Sequence, residues 1–304
     1  MNQLKTVALL GLLAGLLVAI GYAIGGQGGA LIGLVIAAIT NIGSWYFSDR
    51  IALAAYQAQP VSRQQAPELY QMVENLSRQA NIPTPQLYIV PTPAANAFAT
   101  GRDPEHAAVA VTEGILNLLP ADELEAVIAH ELTHVRNRDT LTQAVAATVA
   151  GAISYLARML SYGFLFAGNS RHRQGGNLIG LLLTIFLAPL AATVIQMAIS
   201  RTREFEADAG SARLTENPEA LARALTRLES IGRQMPLNAN PAFEPLLISS
   251  PFSGQFLANL FATHPSTEAR IENLRRIQQE LLTDRKSTRL NSSHSELSRM
   301  PSSA

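Results

Sequence analysis

The stretch "AVIAHELTHVRNRD" at residues 126–139 places two histidines four residues apart, with a glutamate directly after the first. On an α-helix, residues four apart lie on one face, with Cβ atoms about 6 Å apart. The imidazoles of His130 and His134 can then reach a single metal ion at about 2.0–2.1 Å. Glu131 lies one position round the helix, beside the coordination position that the histidines leave open. The pattern predicts a metal site on a helix, typical of zinc-dependent hydrolases.

This site needs a further ligand, because catalytic zinc usually binds three protein side chains and leaves a fourth position for water. The chain has no cysteine, so the ligands must be His, Asp or Glu. The segment "SRTREFEADAG" at residues 200–210 contains Glu204 and Asp208, four residues apart on one helix face. We predict Glu204 as the third ligand and Asp208 as an acceptor that orients a liganding histidine. Glu206 is the competing carboxylate, although it faces away from the other two.

The composition indicates membrane segments. Charged residues make up only 15% of the chain, against about 25% in a typical soluble domain. Residues 6–24 and 30–47 carry no charge, and each is about long enough to cross a hydrocarbon core of roughly 30 Å. A second span directly after the first argues against a cleaved signal peptide. We therefore predict a transmembrane hairpin over residues 1–48. Small-residue spacing that allows close helix approach occurs at Gly11 and Gly15, and at Gly21 and Gly25.

The flanking charges predict the orientation of this hairpin. Lys5 precedes the first span, and Arg50 and Arg63 follow the second, whereas the connecting loop has no Lys or Arg. Because Lys and Arg are enriched on the cytoplasmic side, both ends of the hairpin are expected in the cytoplasm.

Two soluble segments flank a second apolar region. Residues 49–139 form a predicted subdomain with the zinc helix, which begins after Pro120, and residues 201–283 form a helical subdomain with Glu204. The periodicity predicts helices at 67–80, 217–233 and 267–282, and short strands at 86–91, 96–101 and 107–112.

Residues 140–200 form the second apolar hairpin. Residues 177–200 are uncharged and indicate a transmembrane span. The first half of the hairpin contains Arg158, and a charged side chain in the middle of a membrane costs free energy. His130 precedes this hairpin and Glu204 follows it. The two can share one ion only if both ends of the hairpin emerge on the same side, which two crossings, or none, achieve.

Residues 284–304 resemble a translated sequencing adapter rather than a protein segment. They are rich in Ser and Arg and show no apolar periodicity, so we exclude them from the predicted fold as an artefactual or disordered tail. Over the whole chain, basic and acidic residues are equal in number, at 23 each. That balance predicts no nucleic-acid partner.

Four segments together carry a family resemblance: "NAFATG" (96–101), the helix with His130 and His134, "SRTREFEAD" (200–208) and "THPSTEARI" (263–271). In this order, and with the apolar pairs, they resemble the HtpX family of membrane zinc endopeptidases, which are related to the CAAX prenyl proteases. The resemblance covers roughly residues 1–283.

The resemblance implies a mainly α membrane protein with a small β-sheet, in which a zincin-like (gluzincin) protease domain is inserted among four apolar or transmembrane helices. It implies one Zn²⁺ bound by His130, His134 and Glu204, with Glu131 as general base. It also implies a multi-pass protein of the bacterial cytoplasmic (inner) membrane with its active site facing the cytoplasm. The expected partners are the lipid bilayer and protein substrates, above all misfolded membrane proteins removed in quality control and stress response.

Further site residues follow from the same motifs. The resemblance implies His264 as a donor to the reaction's oxyanion, with Arg270 as a second possibility. The segment around Asn96, Ala97 and Phe98 reads as an edge strand that can bind an extended substrate as an additional strand. Asn96 would bind the substrate backbone, although an asparagine that caps a turn is the simpler interpretation.

Two other classes of function stay open at this point. The zinc site could belong to a catalytically inactive membrane scaffold, but Glu131 adds nothing to metal affinity and argues for catalysis. The chain could also be a transporter with an incidental motif, but few ionisable residues lie inside its spans.

Overall fold

The computed structural model of the chain describes residues 2–166, 201–232, 248 and 265–297. Its first helix, α1 (Asn2–Tyr46), is interrupted at Gly25 and Gly26, and Gly26 has a φ of 59°, which favours glycine. The chain reverses there into two arms, Leu4–Tyr22 and Gly25–Gly43, each long and apolar enough to cross a membrane. Nearly all exposed large apolar side chains of the described residues lie on this hairpin. It therefore fits membrane insertion.

The two arms approach each other most closely through glycines. A Cβ atom on Gly21 would overlap the carbonyl of Gly29, and one on Gly33 would overlap the carbonyl of Leu17. Gly29 and Gly33 keep the four-residue spacing, so the expected type of contact occurs, but in the second arm. The prediction is wrong for three glycines that have no described atom near such a Cβ: Gly11, Gly15 and Gly25. Spacing alone identifies a narrow helix face, whereas the point at which the arms cross decides which face is used.

A four-stranded sheet follows the hairpin. Its strands β1 (Gln59–Pro60), β2 (Gln86–Val90), β3 (Ala97–Gly101) and β4 (Ala107–Thr112) lie in the order β1-β2-β4-β3. β3 is an edge strand, antiparallel to β4, and the Thr112 N–H donates to the Asn96 carbonyl across this pair. Hydrogen-bonded positions alternate along an antiparallel pair. The backbone groups of Ala97, Ala99 and Gly101 therefore face the free edge.

Helices pack around the sheet. They are α2 (Ser48–Ala55), α3 (Pro67–Ala80), α4 (Glu113–Leu118), α5 (Ala121–Arg136), α6 (Asp139–Phe166), α7 (Arg201–Thr215), α8 (Pro218–Gly232) and α9 (Thr267–Leu297). α5 begins after Pro120 with Asp122 and Glu123 in its first turn, where the helix dipole favours acids. It packs against β3, β4, α3, α7 and α8, and apolar side chains such as Val127 and Leu132 are fully buried. The mainly α architecture with a small sheet is as predicted.

α6 runs alongside the first arm of α1. Thr142, in its first turn, lies 3.1 Å from Thr6 between hydroxyl oxygens, and the following apolar residues share a core with Leu9 and Leu13. The first half of the predicted second hairpin is thus helical and, as far as Ile153, largely buried by protein contacts. Residues 177–200 lie outside the described residues, so the complete hairpin over 140–200 stays a prediction.

The C-terminal helix is longer than predicted. α9 begins at Thr267, as the periodicity indicates, but continues to Leu297 rather than ending near residue 282. The alternative of a disordered tail is therefore wrong for the backbone of residues 284–297, whereas the interpretation of residues 284–304 as an artefactual segment stays a prediction. Adding a residue to an existing helix costs far less than starting one, so a weakly patterned segment can extend a stable helix.

Candidate metal centre

His130, His134 and Glu204 meet in one buried cluster, called here the metal cluster. The histidines lie one turn apart on α5, and Glu204 lies in the first turn of α7, which packs against α5. His130 Nε2 is 3.7 Å from Glu204 Oε2, and His134 Nε2 is 3.6 Å from Glu204 Oε1. One ligand atom from each residue lies within 4.8 Å of the other two. The competing carboxylate, Glu206, is exposed.

The spacing of these atoms fits a tetrahedral metal ion. Bonds of about 2.0–2.1 Å at tetrahedral angles separate neighbouring ligand atoms by about 3.4 Å, close to the two separations between the imidazoles and the carboxylate. Two imidazole nitrogens and one carboxylate oxygen are also a donor set typical of catalytic zinc. Both imidazole–carboxylate separations therefore fit a shared metal ion with shifts of only a few tenths of an ångström.

A carboxylate holds the other ring nitrogen of each histidine. Asp208, one turn after Glu204, is 3.0 Å from His130 Nδ1, as its spacing predicts. Asp139, the first residue of α6, is 3.1 Å from His134 Nδ1. Such acceptors favour a proton on Nδ1 and leave Nε2 for a metal. Asp139 was not predicted from the sequence, although its position five residues after His134, directly beyond the zinc helix, was the available signal.

Arg270 has a different role from the predicted one. Its Nη2 and Nε donate to the two carboxylate oxygens of Asp208 at 2.6 and 2.9 Å. Its Nη1 donates to the carbonyl of Ile248 at 3.2 Å and lies 4.0 Å from Glu204 Oε2. The prediction of Arg270 as the alternative oxyanion donor, and thus as a substrate-binding residue, is therefore wrong, because its donors are directed at protein groups. A buried guanidinium requires a fixed carboxylate, and Asp208 supplies it.

The two histidines titrate differently. Burial lowers the pKa of His130 to about 4; the hydrogen bond that His130 donates to Asp208 opposes this shift, and the charge of Arg270 adds to it. Burial also disfavours charge on His134, but the hydrogen bond to Asp139 and the charge of Glu204 outweigh it and raise its pKa to about 9. With a pKa above neutrality, His134 would have to release a proton to bind a metal ion at neutral pH.

Glu131 lies beside the metal cluster and is itself buried. Its Oε2 accepts the N–H of Ala99, on the free edge of β3, at 2.9 Å. Burial raises the pKa of Glu131 to about 8, opposed by His134 and assisted by the nearby charge of Glu204. The contact with Ala99 joins the predicted base to the predicted substrate-binding strand.

The free edge of β3 is partly occupied by the protein's own groups. The Ile248 N–H lies 3.3 Å from the Ala97 carbonyl and 3.1 Å from Asn96 Oδ1, which also accepts the Ala97 N–H at 3.0 Å. The Gly101 carbonyl accepts the Thr140 hydroxyl at 2.9 Å. Asn96 thus binds a backbone N–H, the kind of group predicted, but this one belongs to Ile248. Contacts of Asn96 and Ala97 with a substrate stay predictions.

The side chain of Phe98 lies on the face of the sheet opposite to the zinc helix α5. Its ring is buried and lies 4.9 Å from that of Tyr56, measured between centroids. Successive side chains of a strand point to opposite faces. Ala97 and Ala99 belong to the core around α5, whereas Phe98 belongs to the core with α1 and α6. Its backbone pairs inward with Ala110. The prediction of Phe98 as a substrate-binding residue is therefore wrong.

Two further residues bear on this site, His264 and Ile248. His264, the predicted oxyanion donor, lies outside the described residues, and its role stays a prediction. Ile248 was not predicted at all, yet its N–H and carbonyl link Asn96 on the sheet to Arg270 on α9. An aliphatic residue that acts through its backbone leaves no signal in the sequence.

Comparison with known proteins identifies the family. The model of peptidase family M48 matches residues 63–278, which include the whole metal cluster. A protease HtpX homolog from Nostoc punctiforme is 69% identical over 284 residues, which cover 93% of this chain and 98% of that protein. A protease HtpX homolog from Pyrococcus furiosus is 52% identical over 278 residues, 91% of this chain and 96% of that protein. The crystal structure of S. mikatae Ste24p aligns with a TM-score of 0.49 and 18% identity, over 90% of this chain but only 65% of Ste24p. The chain belongs to peptidase family M48 and is a metalloendopeptidase.

Proposed function

We propose that this metalloendopeptidase uses zinc to hydrolyse membrane proteins, including misfolded ones, at the cytoplasmic face of the bacterial inner membrane. The role would be membrane protein quality control. The observation that carries the proposal is the convergence of His130, His134 and Glu204 beside a fourth buried ionisable residue, Glu131. Burying two carboxylates side by side is costly, and a cation bound between the histidines and Glu204 would offset that cost.

His130 and His134, through Nε2, and Glu204, through its carboxylate, would hold the zinc ion. Bound there, zinc would polarise the scissile carbonyl and lower the pKa of a water molecule towards about 7. The carboxylates of Asp208 and Asp139 hold the two imidazoles in orientation, so that both Nε2 atoms point at Glu204 without rearrangement.

Glu131 is the proposed general base. Its Oε2 is held by the Ala99 N–H, which leaves Oε1 to take the proton of the attacking water and then deliver it to the leaving amine. Burial raises its pKa to about 8, and the charge of a bound cation would lower that pKa again, towards the range in which a carboxylate can both accept and return a proton near neutral pH.

The membrane location is supported by the hairpin of α1. Its two arms fit membrane insertion, and its basic flanking residues, Lys5, Arg50 and Arg63, favour the cytoplasm for both ends. The metal cluster follows the second arm in the chain, so a cytoplasmic catalytic site is the simplest topology. Lipid and membrane-anchored proteins are then the natural partners.

An inactive zinc-containing scaffold is the alternative function. It would need the three ligands and their carboxylate partners, but it would have no use for Glu131. Keeping that carboxyl group buried beside Glu204 costs stability, since burial raises its pKa by disfavouring the charged form. A protein without catalysis would gain by replacing it, so Glu131 favours the enzyme.

Paired substitutions test the proposal in protein purified in detergent. Glu131→Gln should keep one zinc per chain and lose casein cleavage by about 10²–10⁴-fold, the range for a lost general base. Glu204→Gln should lose both zinc and cleavage. Glu206→Gln is the matched control, because this exposed residue lies two positions from Glu204, and it should retain both.

Each variant can contradict one part of the assignment. Cleavage by Glu131→Gln at the rate of the unmodified protein would exclude Glu131 as the base. Stoichiometric, tightly bound zinc in Glu204→Gln would exclude Glu204 as the third ligand. Metal content measured by mass spectrometry, with cleavage on the same samples, separates the two results.

A further inference from the structure

The helix α6, which begins with Asp139, and Arg102, which follows β3, contact the ends of the two arms of the α1 hairpin. Thr6, the third residue of the first arm, lies 3.1 Å from Thr142 between hydroxyl oxygens, and both residues are buried. Tyr46, three residues after the second arm, lies under the guanidinium of Arg102, which is 4.6 Å from the ring centroid. Because different arms make the two contacts, each contact gives a separate estimate of how far the candidate active site lies from the end of an arm.

Both contacts are made close to the candidate active site. Asp139, one turn before Thr142 on α6, holds His134 at 3.1 Å. Arg102 directly follows Gly101, the last residue of β3, whose carbonyl accepts a hydroxyl from the first turn of α6 at 2.9 Å. The zinc helix and the edge strand therefore both end beside the membrane-fitting hairpin.

The helix α6 gives one estimate of the depth of the site. Asp139 precedes Thr142 by about 4.5 Å along the helix axis, and Thr6 lies about 3 Å inside the arm that begins at Leu4. Because α6 continues alongside the first arm, Asp139 lies only a few ångströms outside the level of Leu4. The ring of His134 is in contact with Asp139, which places the metal cluster on the order of 10 Å from the end of the arm.

The edge strand gives a second estimate. Glu131 contacts Ala99, which is two residues, or about 7 Å, from Gly101 along β3. The ring contact at Tyr46 lies about 4.5 Å along the helix from Gly43, the end of the second arm. These two axial steps place the base on the order of 10–15 Å from that end when the lateral reach from Arg102 across to Tyr46 is left out, the same order as the first estimate.

We propose that the enzyme selects bonds by their distance from the bilayer. The scissile bond lies about three to five residues from the end of a substrate's transmembrane segment, because 10–15 Å corresponds to that length of extended chain at about 3.3 Å per residue. The substrates are membrane-spanning proteins with an unfolded juxtamembrane segment. This inference rests on the proposed function, since it takes α1 as inserted and Glu131 as the base.

A series of spacers tests the inference with the full-length, zinc-loaded protein in liposomes. Each substrate is a single transmembrane helix followed by a proline spacer and one casein sequence, with spacers of about two, four, ten and twenty residues at about 3.1 Å each. Cleavage should be fast with the two- and four-residue spacers, which leave casein bonds within about 10–15 Å of the end of the helix, and at least tenfold slower with ten and twenty. Rates with Glu131→Gln are subtracted as background.

Soluble peptides with the same spacers but no transmembrane helix are the matched control, and should be cleaved at equal rates. A profile that is flat, or that rises with spacer length, would overturn the distance selection and leave the protease function intact. Failure of the zinc-loaded protein to cleave any peptide, soluble or membrane-bound, would overturn the proposed function and the distance selection with it.

Discussion

Replacing Arg270 by glutamine removes the partner of a buried carboxylate. Asp208 is 0% exposed and Arg270 is 3% exposed, and two hydrogen bonds of 2.6 and 2.9 Å join them. Loss of one partner from such a pair costs about 3–5 kcal/mol, because the remaining charge stays buried. At about 2–4 °C per kcal/mol for a domain of this size, the unfolding midpoint should fall by on the order of 10 °C.

The same substitution should weaken zinc binding. Burial raises the pKa of Asp208, but the charge and hydrogen bonds of Arg270 outweigh this and hold it below its ordinary value. Without Arg270, Asp208 is more readily protonated and is no longer held in place by two hydrogen bonds, so it orients His130 Nδ1 less well. Residues that orient a metal ligand in this way contribute about 10–100-fold to metal affinity, and competition with a chelating dye measures that loss.

Two comparisons isolate the ion pair. Arg276→Gln changes an exposed arginine on the same helix, bonded to Asn273 at 2.7 Å, and should change the free energy of unfolding by no more than about 0.5 kcal/mol. In an Asp208→Asn background, Arg270→Gln should cost at least about 1 kcal/mol less than in the unmodified protein, because no carboxylate is left unpaired. Equal costs in both backgrounds, or an effect as small as that of Arg276→Gln, would show that the ion pair between Arg270 and Asp208 does not stabilise the fold.

Three further changes test other contacts. Asp139→Asn should weaken zinc binding about 10–100-fold, whereas Asp103→Asn, which alters the partner of a surface histidine, should leave the dissociation constant unchanged; equal effects would contradict the role of Asp139. Gly29→Leu should reduce the yield of monodisperse protein in size-exclusion chromatography, whereas Gly15→Leu should be tolerated, because only Gly29 lies against the other arm; the reverse ranking would count against the hairpin contact. Zinc affinity measured by calorimetry should fall about tenfold per pH unit from about pH 8 to 6, because His134, with a pKa of about 9, is increasingly held in its protonated form as the pH falls; a constant affinity would exclude this proton release.

Features that depend on chain periodicity could be predicted from the sequence. The helix at 67–80 and the strand at 107–112 have the predicted bounds, because a strong apolar pattern fixes both the type of element and its buried face. The metal cluster was predictable for the same reason. A four-residue spacing on a helix defines a shared face, and it placed His130 with His134 and Glu204 with Asp208.

Features that depend on contacts between distant segments could not be predicted. Phe98 lies two residues after Asn96 in a segment with the pattern of an edge strand. Which side chains of that strand point towards α5 depends on the face of the sheet that α5 covers, and the motif does not contain that information. Arginine is a residue type that often binds substrates, and only the fold shows that Arg270 is already paired with Asp208. Ile248 acts through peptide groups, which every residue possesses.

The position of Asp139 explains why the hairpin and the catalytic site belong to one unit. Its carboxylate lies at the start of α6, where the helix dipole favours a negative charge, and the same carboxylate orients His134. The orientation of a metal ligand therefore depends on where α6 begins, and α6 is held in place by its packing on α1. Removing α1 would expose residues such as Val145 and Val149, which are fully buried, and would free the first turn of α6 to shift. The hairpin is therefore a structural part of the catalytic site as well as its membrane attachment.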